Sequence, residues 1–90
     1  MTKILAMMSL YYFCEASAAE RALPVDEAMA CAQLYNSIKV AFLDEPPARL
    51  GTPERIAQNR LGYRGFKAWE AAHPELVETL RASARRQLGH

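Results

Sequence analysis

The predicted fold is organised around residues 25–43, which have the sequence VDEAMACAQLYNSIKVAFL. At 100° per residue this stretch has one broad apolar face, made by Ala28, Cys31, Leu34, Tyr35, Ile38, Ala41 and Phe42. A second apolar strip beside it consists of Val25, Met29, Val40 and Leu43. The remaining polar edge is narrow and holds Asp26, Gln33 and Ser37. A helix with so little polar surface is typically clamped between neighbours, so this stretch predicts the central helix of the fold.

The composition indicates a single small all-α domain. The chain has 90 residues, of which 51% are hydrophobic, and this is enough for one core and too much for a disordered chain. Glycines, prolines and alternating β-branched runs are few, so the sequence predicts a small helical bundle of three to four helices. The formal net charge is +1, but residues 1–48 are net acidic and residues 49–90 net basic. This asymmetry indicates either faces that pair or are solvated, or a basic surface for an acidic partner or nucleic acid.

Residues 1–18 have two interpretations. A basic start at Lys3, an uncharged apolar run over 4–14 and the pattern Ala16-x-Ala18 are typical of a secretory signal cleaved after Ala18. The run is too short to cross a membrane, which takes about 20 apolar residues. Alternatively, the run belongs to a buried first helix over 3–22, which ends there because Pro24 follows. Cleavage would leave 19–90 as a single helical domain in the periplasm, and retention would leave the protein in the cytoplasm.

Prolines mark the boundaries of the later helices. Pro46 and Pro47 cannot continue the helix over 25–43, so the residues around them form a long connection. Thr52-Pro53-Glu54 is typical of a helix start, with threonine at the cap and proline in the first turn, and it predicts a helix over 53–72. His73-Pro74-Glu75 repeats this signal and predicts a last helix over 74–88.

The helix over 53–72 is predicted to bury one side and to expose a basic one. Its glycines, Gly62 and Gly65, either allow a neighbouring helix to approach closely or end one short helix before a second begins. The apolar side consists of Ala57, Leu61, Phe66, Ala68, Trp69 and Ala72, and the basic side of Arg60, Arg64 and Lys67. In the last helix the apolar stripe is Leu76, Val77, Leu80, Ala84 and Leu88.

The chain contains no recognisable catalytic or metal-binding motif. It has no GxSxG, glycine-rich phosphate loop or HExxH, and His73 and His90 have no spacing relationship to a cysteine, serine or carboxylate. Cys14 and Cys31 lack CxxC or zinc-type spacing. They are either buried thiols or a disulfide, which requires an oxidising compartment and a chain that retains residue 14. We therefore expect no catalytic residues, no cofactor and no metal.

Residues 56–75, IAQNRLGYRGFKAWEAAHPE, contain an Ile-Ala pair, Leu61-Gly62 at a turn position and Trp69-Glu70 further on. This segment resembles the helix-turn-helix of phage-repressor-like regulators. The resemblance implies a recognition helix in the major groove, with Arg60, Arg64 and Lys67 on phosphates. The same residues also fit an amphipathic helix pair with Phe66 and Trp69 in the core and an exposed basic stripe. The sequence favours this second interpretation, because the spacing from Ala57 to Leu61 is longer than in that family.

Three functions follow from these observations. The first is a non-catalytic helical protein that binds another protein or itself, as a subunit, adaptor or inhibitor. The second is the same scaffold exported to a bacterial periplasm, with its partner there. The third is a small DNA-binding regulator that uses Arg60, Arg64 and Lys67. We expect the first, because the chain has an excess of apolar helix face and no chemistry-bearing motif.

Overall fold

Four helices follow one another along the chain: α1 (Thr2–Glu20), α2 (Val25–Ala41), α3 (Pro53–Ala72) and α4 (Pro74–Gln87). The computed structural model describes residues 2–89, and every regular element in that range is a helix. The predicted all-α class is therefore confirmed. The predicted bounds lie within two residues of the observed ones, because prolines and caps mark most of the helix ends.

The start of α3 shows this local encoding directly. The Thr52 hydroxyl accepts a hydrogen bond from the backbone N–H of Arg55 at 3.2 Å and donates one to the carbonyl of Arg49 at 2.7 Å. It thus satisfies one of the N–H groups that a helix start leaves without a partner. Pro53 and Pro74 occupy the first turns of α3 and α4, where the missing N–H costs nothing.

The helices form a flat bundle. α1 packs against α2 and α4, α2 packs against α1 and α3, and the contact between α3 and α4 is the smallest. The overall dimensions are 41 × 32 × 18 Å. Because the bundle is thin, neighbouring helices cover only part of each helix surface.

The core draws on all four helices, and α1 contributes two of its fully buried side chains. Met8 and Tyr12 of α1 are fully buried, as are Ile38 of α2 and Phe66 of α3. Trp69, Val77 and Ala84 are the other buried apolar residues among those that the structure describes. The predicted stripe of α4 is confirmed, with Val77 and Ala84 buried and Leu76, Leu80 and Leu88 half-buried. In this fold, residues 2–20 form a core helix.

α2 lies between α1 and α3, but it is less covered than its apolar surface predicts. Ile38 is its only buried residue, whereas Val25 is 76% and Met29 58% exposed. The expectation that neighbours clamp this helix therefore holds for its carboxy-terminal part, where Ile38 is buried and Val40 half-buried, and not for its amino-terminal part. In the flat arrangement no helix covers Val25 and Met29.

Gly62 and Gly65 are contact points between α3 and α2. A Cβ on Gly62 would collide with the backbone carbonyl of Lys39, and one on Gly65 would lie 3.0 Å from the Cβ of Phe42. The interpretation of a close helix approach is confirmed, and the alternative of a helix end at Gly62 is wrong, because α3 is continuous. The turn that the helix-turn-helix resemblance places at Leu61-Gly62 is therefore absent, since both residues lie within α3.

The buried side of α3 differs from the predicted one. Phe66 and Trp69 are buried as expected, but the other members of the predicted side are exposed, namely Ala57, Leu61, Ala68 and Ala72. The glycine contacts turn a different stripe towards the rest of the fold, with Gln58 and Gly62 continuing the line of Phe66 and Trp69. Neither Gln58 nor Gly62 is a residue that a hydrophobic pattern marks as buried.

The connection between α2 and α3 is held by side chains of α3. The Gln58 amide accepts a hydrogen bond from the Ala48 N–H at 2.7 Å and donates to Glu45 Oε1 at 2.9 Å and to the Pro46 carbonyl at 3.1 Å. Arg55 donates to the Ala48 carbonyl at 2.9 Å. Burial of Gln58 thus supplies partners for backbone groups in a segment without secondary structure.

Cys14 and Cys31 form a disulfide that links α1 to α2. This outcome is one of the two that the sequence leaves open. It places a covalent link at the half of α2 that contributes no buried residue.

Candidate functional site

A groove between α2 and α3 brings basic, aromatic and apolar side chains together. Its volume is about 470 Å³, within the usual range of ligand sites. The lining residues are Tyr35 and Lys39 from α2, and Ile56, Asn59, Arg60, Tyr63 and Arg64 from α3. No carboxylate is among these lining residues.

The close approach of the two helices creates this arrangement. Tyr35 and Lys39 are four residues apart, as are Arg60 and Arg64, and side chains at that spacing project from one side of a helix. Gly62 lies between the two arginines and contacts the backbone of Lys39. The glycine therefore sets the basic residue of α2 beside the two of α3.

The charges of the groove are largely unpaired. Arg60 and Arg64 are exposed, and their side chains have no hydrogen bond or ion pair with any residue in the described range 2–89. The Lys39 ammonium lies 4.6 Å from the centre of the Tyr35 ring, a cation–π contact that leaves its positive charge unneutralised. Burial raises the pKa of the Tyr35 phenol, and the nearby Tyr63 adds to this, so Tyr35 is a neutral hydroxyl at physiological pH.

The three basic residues that the sequence predicts to act together do not share one surface. Arg60 and Arg64 share the groove, whereas Lys67 does not line it. Lys67 donates to Glu70 Oε1 at 2.7 Å and lies 5.4 Å from the centre of the Phe66 ring. The hydrogen bond to Glu70 raises the pKa of Lys67. Lys67 is therefore engaged in an internal ion pair.

Several groove residues are absent from the predicted set, namely Tyr35, Lys39, Ile56, Asn59 and Tyr63. Lys39 belongs to another helix, and its position beside Arg60 depends on the pairing of α2 with α3. The sequence contains one indication of this arrangement, because Gly62 stands between Arg60 and Arg64 and glycine allows a close helix contact. The sequence does not indicate which helix approaches Gly62.

A second groove, of about 540 Å³, lies between α1 and α4 and has different electrostatics. Its charged lining residues include Glu15 and Arg81, which form a two-pronged ion pair at 3.0 and 3.2 Å. Arg85, also in the lining, pairs with Glu78 at 3.2 Å. These cations already have acidic partners within the fold, so we select the α2–α3 groove as the candidate site.

Beside the second groove, Tyr12 and Glu70 join α1 to α3. The Tyr12 hydroxyl donates to Glu70 Oε2 at 2.6 Å, and Arg81 lies 3.8 Å from the same carboxylate. Burial opposes ionisation of Glu70, but hydrogen bonds from Lys67 and Tyr12 outweigh it, so the pKa of Glu70 is lowered. Burial, followed by the hydrogen bond to Glu70, raises the pKa of Tyr12. This network is an interior polar contact with a structural role.

Within residues 2–89 no three histidine, cysteine, aspartate or glutamate side chains are grouped so that they could hold a metal ion. The His73 ring donates a hydrogen bond from Nδ1 to the Trp69 carbonyl, 2.8 Å away, and His90 lies outside the described residues. Of the helices in the described part of the chain, none has the length and apolar character of a membrane span.

Comparisons with protein-family models, with curated proteins and with solved structures found no match. The functional argument therefore rests on the α2–α3 groove and its charges.

Proposed function

We propose that this chain is a non-catalytic helical protein that acts by binding another protein, with the α2–α3 groove as the contact surface. One observation carries the proposal. Unpaired cations and solvent-exposed apolar and aromatic side chains line the same groove, with Ile56 54% and Tyr63 45% exposed. Tyrosine and arginine are enriched in protein interfaces, where an apolar centre is combined with polar contacts at the rim.

A protein partner fits this groove better than duplex DNA does. DNA-binding surfaces commonly contact many phosphates along an extended basic surface. Here three cations line one concave groove, the neighbouring Lys67 is paired with Glu70, and the chain as a whole carries a charge of only +1. The continuous α3 also lacks the turn that sets a recognition helix apart.

The Cys14–Cys31 disulfide supports the exported form of this proposal. Disulfides persist in oxidising compartments such as the bacterial periplasm and are rare in the cytosol. The sequence links export to cleavage after Ala18, but the disulfide uses Cys14 of α1. We therefore propose that a disulfide-bonded, exported form keeps residue 14 in the folded chain.

Photo-crosslinking in the cells that encode the protein tests the binding proposal. A benzophenone-bearing amino acid replaces Ile56 in the groove wall, and in a matched control it replaces Ala71, which is exposed on α3 outside the groove. We expect a discrete adduct from position 56 that resists nuclease and is sensitive to protease. The same adduct should be lost in the Arg60→Glu/Arg64→Glu background.

Two results would contradict the proposal. Equal crosslinking from positions 56 and 71 would show that the groove has no special role. An adduct that nuclease removes would favour the DNA-binding alternative over a protein partner.

A further inference from the structure

The positive charges of the α2–α3 groove lack acidic partners and indicate that its occupant is negatively charged. Lys39, Arg60 and Arg64 all line it, and none has a hydrogen bond or ion pair with an acidic residue within the described range 2–89. The other arginines that line a groove differ, since Arg55, Arg81 and Arg85 each donate to a carbonyl or carboxylate of the fold. An occupant with carboxylates would supply the missing partners.

The spacing of these cations fits a short polypeptide segment. Arg60 and Arg64 are one helical turn apart, which places their Cβ atoms about 6 Å from each other. Alternate side chains of an extended segment, and side chains four apart on a helix, repeat at about 6–7 Å. Two carboxylates of one segment can therefore meet both arginines at once, and Lys39 faces them from α2.

The groove also offers apolar surface beside the charges. Ile56 and Tyr63 are about half exposed, and the volume of about 470 Å³ is enough for a few side chains and too small for a folded domain. Surface ion pairs alone contribute little to affinity. An apolar side chain of the segment, packed on Ile56 and Tyr63, would contribute the desolvated part of the contact.

We propose that the α2–α3 groove binds an acidic segment of the partner protein that carries an aromatic or aliphatic side chain between its carboxylates. This inference rests on the proposed function and specifies the chemistry of the segment. Nucleic acid is also a polyanion with aromatic groups, and a comparison with a DNA duplex distinguishes it from an acidic segment.

Fluorescence anisotropy with defined probes tests the inference on the full chain. The probe is a dye-labelled peptide of about twelve residues, half of them glutamate with two phenylalanines; a peptide with glutamine in place of glutamate and a labelled DNA duplex are the comparisons. Two double variants are compared, Arg60→Glu/Arg64→Glu in the groove and Arg49→Glu/Arg86→Glu outside it. All four arginines are exposed, and both variants have the same net charge. Circular dichroism confirms that each is folded.

We expect the glutamate peptide to bind at about 20 mM salt and to weaken as salt rises. The groove variant should lose at least about tenfold in affinity, whereas the control variant should stay within about twofold. Equal loss in the two variants would overturn the inference, because net charge and not the groove would then be responsible.

Two further outcomes would also overturn it. Absence of peptide binding at low salt would exclude an acidic segment as the occupant of the groove. Tighter binding of the DNA duplex than of the peptide would indicate nucleic acid as the occupant. The crosslink at position 56 separates this inference from the proposed function. A protein adduct there without peptide binding would leave a protein partner whose segment is not acidic.

Discussion

Gly62 shows how a missing side chain fixes the position of two helices. Its Cα faces the backbone of Lys39, and a Cβ there would collide with the carbonyl oxygen. In a helix without such a neighbour, alanine is more favourable than glycine by about 1 kcal/mol. The close contact reverses this preference. Whether Gly62→Ala raises or lowers the free energy of unfolding therefore tests whether α2 and α3 cross at this residue.

We predict that Gly62→Ala lowers the free energy of unfolding by about 1–3 kcal/mol, because the added methyl group forces the helices apart. Urea unfolding followed by circular dichroism measures this. Ala57→Gly, at an exposed position of the same helix, is the control and should cost about 1 kcal/mol through helix propensity alone. A more stable Gly62→Ala variant would show that α2 and α3 do not cross at this glycine.

Glu70 makes the stability of the fold dependent on pH. Its pKa in the folded chain lies below its ordinary value of 4.5, because the hydrogen bonds from Lys67 and Tyr12 outweigh burial. A lowered folded-state pKa means that ionised Glu70 stabilises the fold. This contribution is complete above about pH 4.5 and is lost as the pH falls through the folded-state pKa.

We predict that Glu70→Gln removes this pH-dependent part of the stability. The variant should be less stable than the native sequence by about 1–2 kcal/mol at pH 7, and the difference should shrink towards pH 3. Urea midpoints measured across that range provide the test. Glu78→Gln is the control, because Glu78 forms an exposed ion pair with Arg85. A Glu70→Gln difference that is constant with pH would exclude the carboxylate charge as its cause.

At the scale of the helix, the sequence predicts where each element lies better than which side is covered. The bounds of α3 follow from Thr52-Pro53 and from Pro74, which are local signals. The covered side of α3 depends on which helix packs against Gly62, and this is not local information. The buried Gln58 and the exposed Leu61 are therefore both contrary to a hydrophobic pattern. The sequence predicts that Arg60 and Arg64 are exposed on one side of α3. It does not predict that Lys39 of α2 lies beside them.

The amino-terminal half of α2 is held in place mainly by the disulfide. Its exposed residues include Val25 and Met29, and the buried residue Ile38 lies in the other half of the helix. Arg21 and Glu27 add an ion pair at 3.0 Å, but both side chains are about half exposed, so it contributes little.

We predict that reduction of Cys14–Cys31, or the Cys14→Ser/Cys31→Ser variant, loosens residues 25–33 selectively. Hydrogen exchange should speed up most in that segment, which opens locally, while the amides around Ile38 and in α3 lose only the protection that follows from the lower global stability. The global free energy of unfolding should fall by about 3 kcal/mol, the effect of closing a loop of this length. Oxidised protein in the same buffer is the control. Uniform acceleration across all helices would show that the disulfide does not act locally.

At the scale of the whole molecule, the core is small and depends on its first helix. Seven apolar residues are buried in the described part of the chain, and two of the fully buried ones, Met8 and Tyr12, belong to α1. The sequence leaves residues 1–18 open between a signal and a core helix, because a short apolar run satisfies both patterns. In the fold α1 packs on α2 and on α4, so its removal would uncover both.

We predict that a chain shortened to residues 19–90 does not fold cooperatively. It lacks Met8 and Tyr12 from the core and Cys14 from the disulfide, and a domain of this size has little stability to lose. Thermal unfolding by circular dichroism, beside the longer chain and a Met8→Ala variant, measures the effect. Met8→Ala should fold with a loss of about 2–5 kcal/mol, which separates a weakened core from a missing helix. The intact mass of the protein from its native cells completes the test. A folded chain that begins at Ala19 would contradict the role of α1, because the remaining helices would then form a core without Met8 and Tyr12.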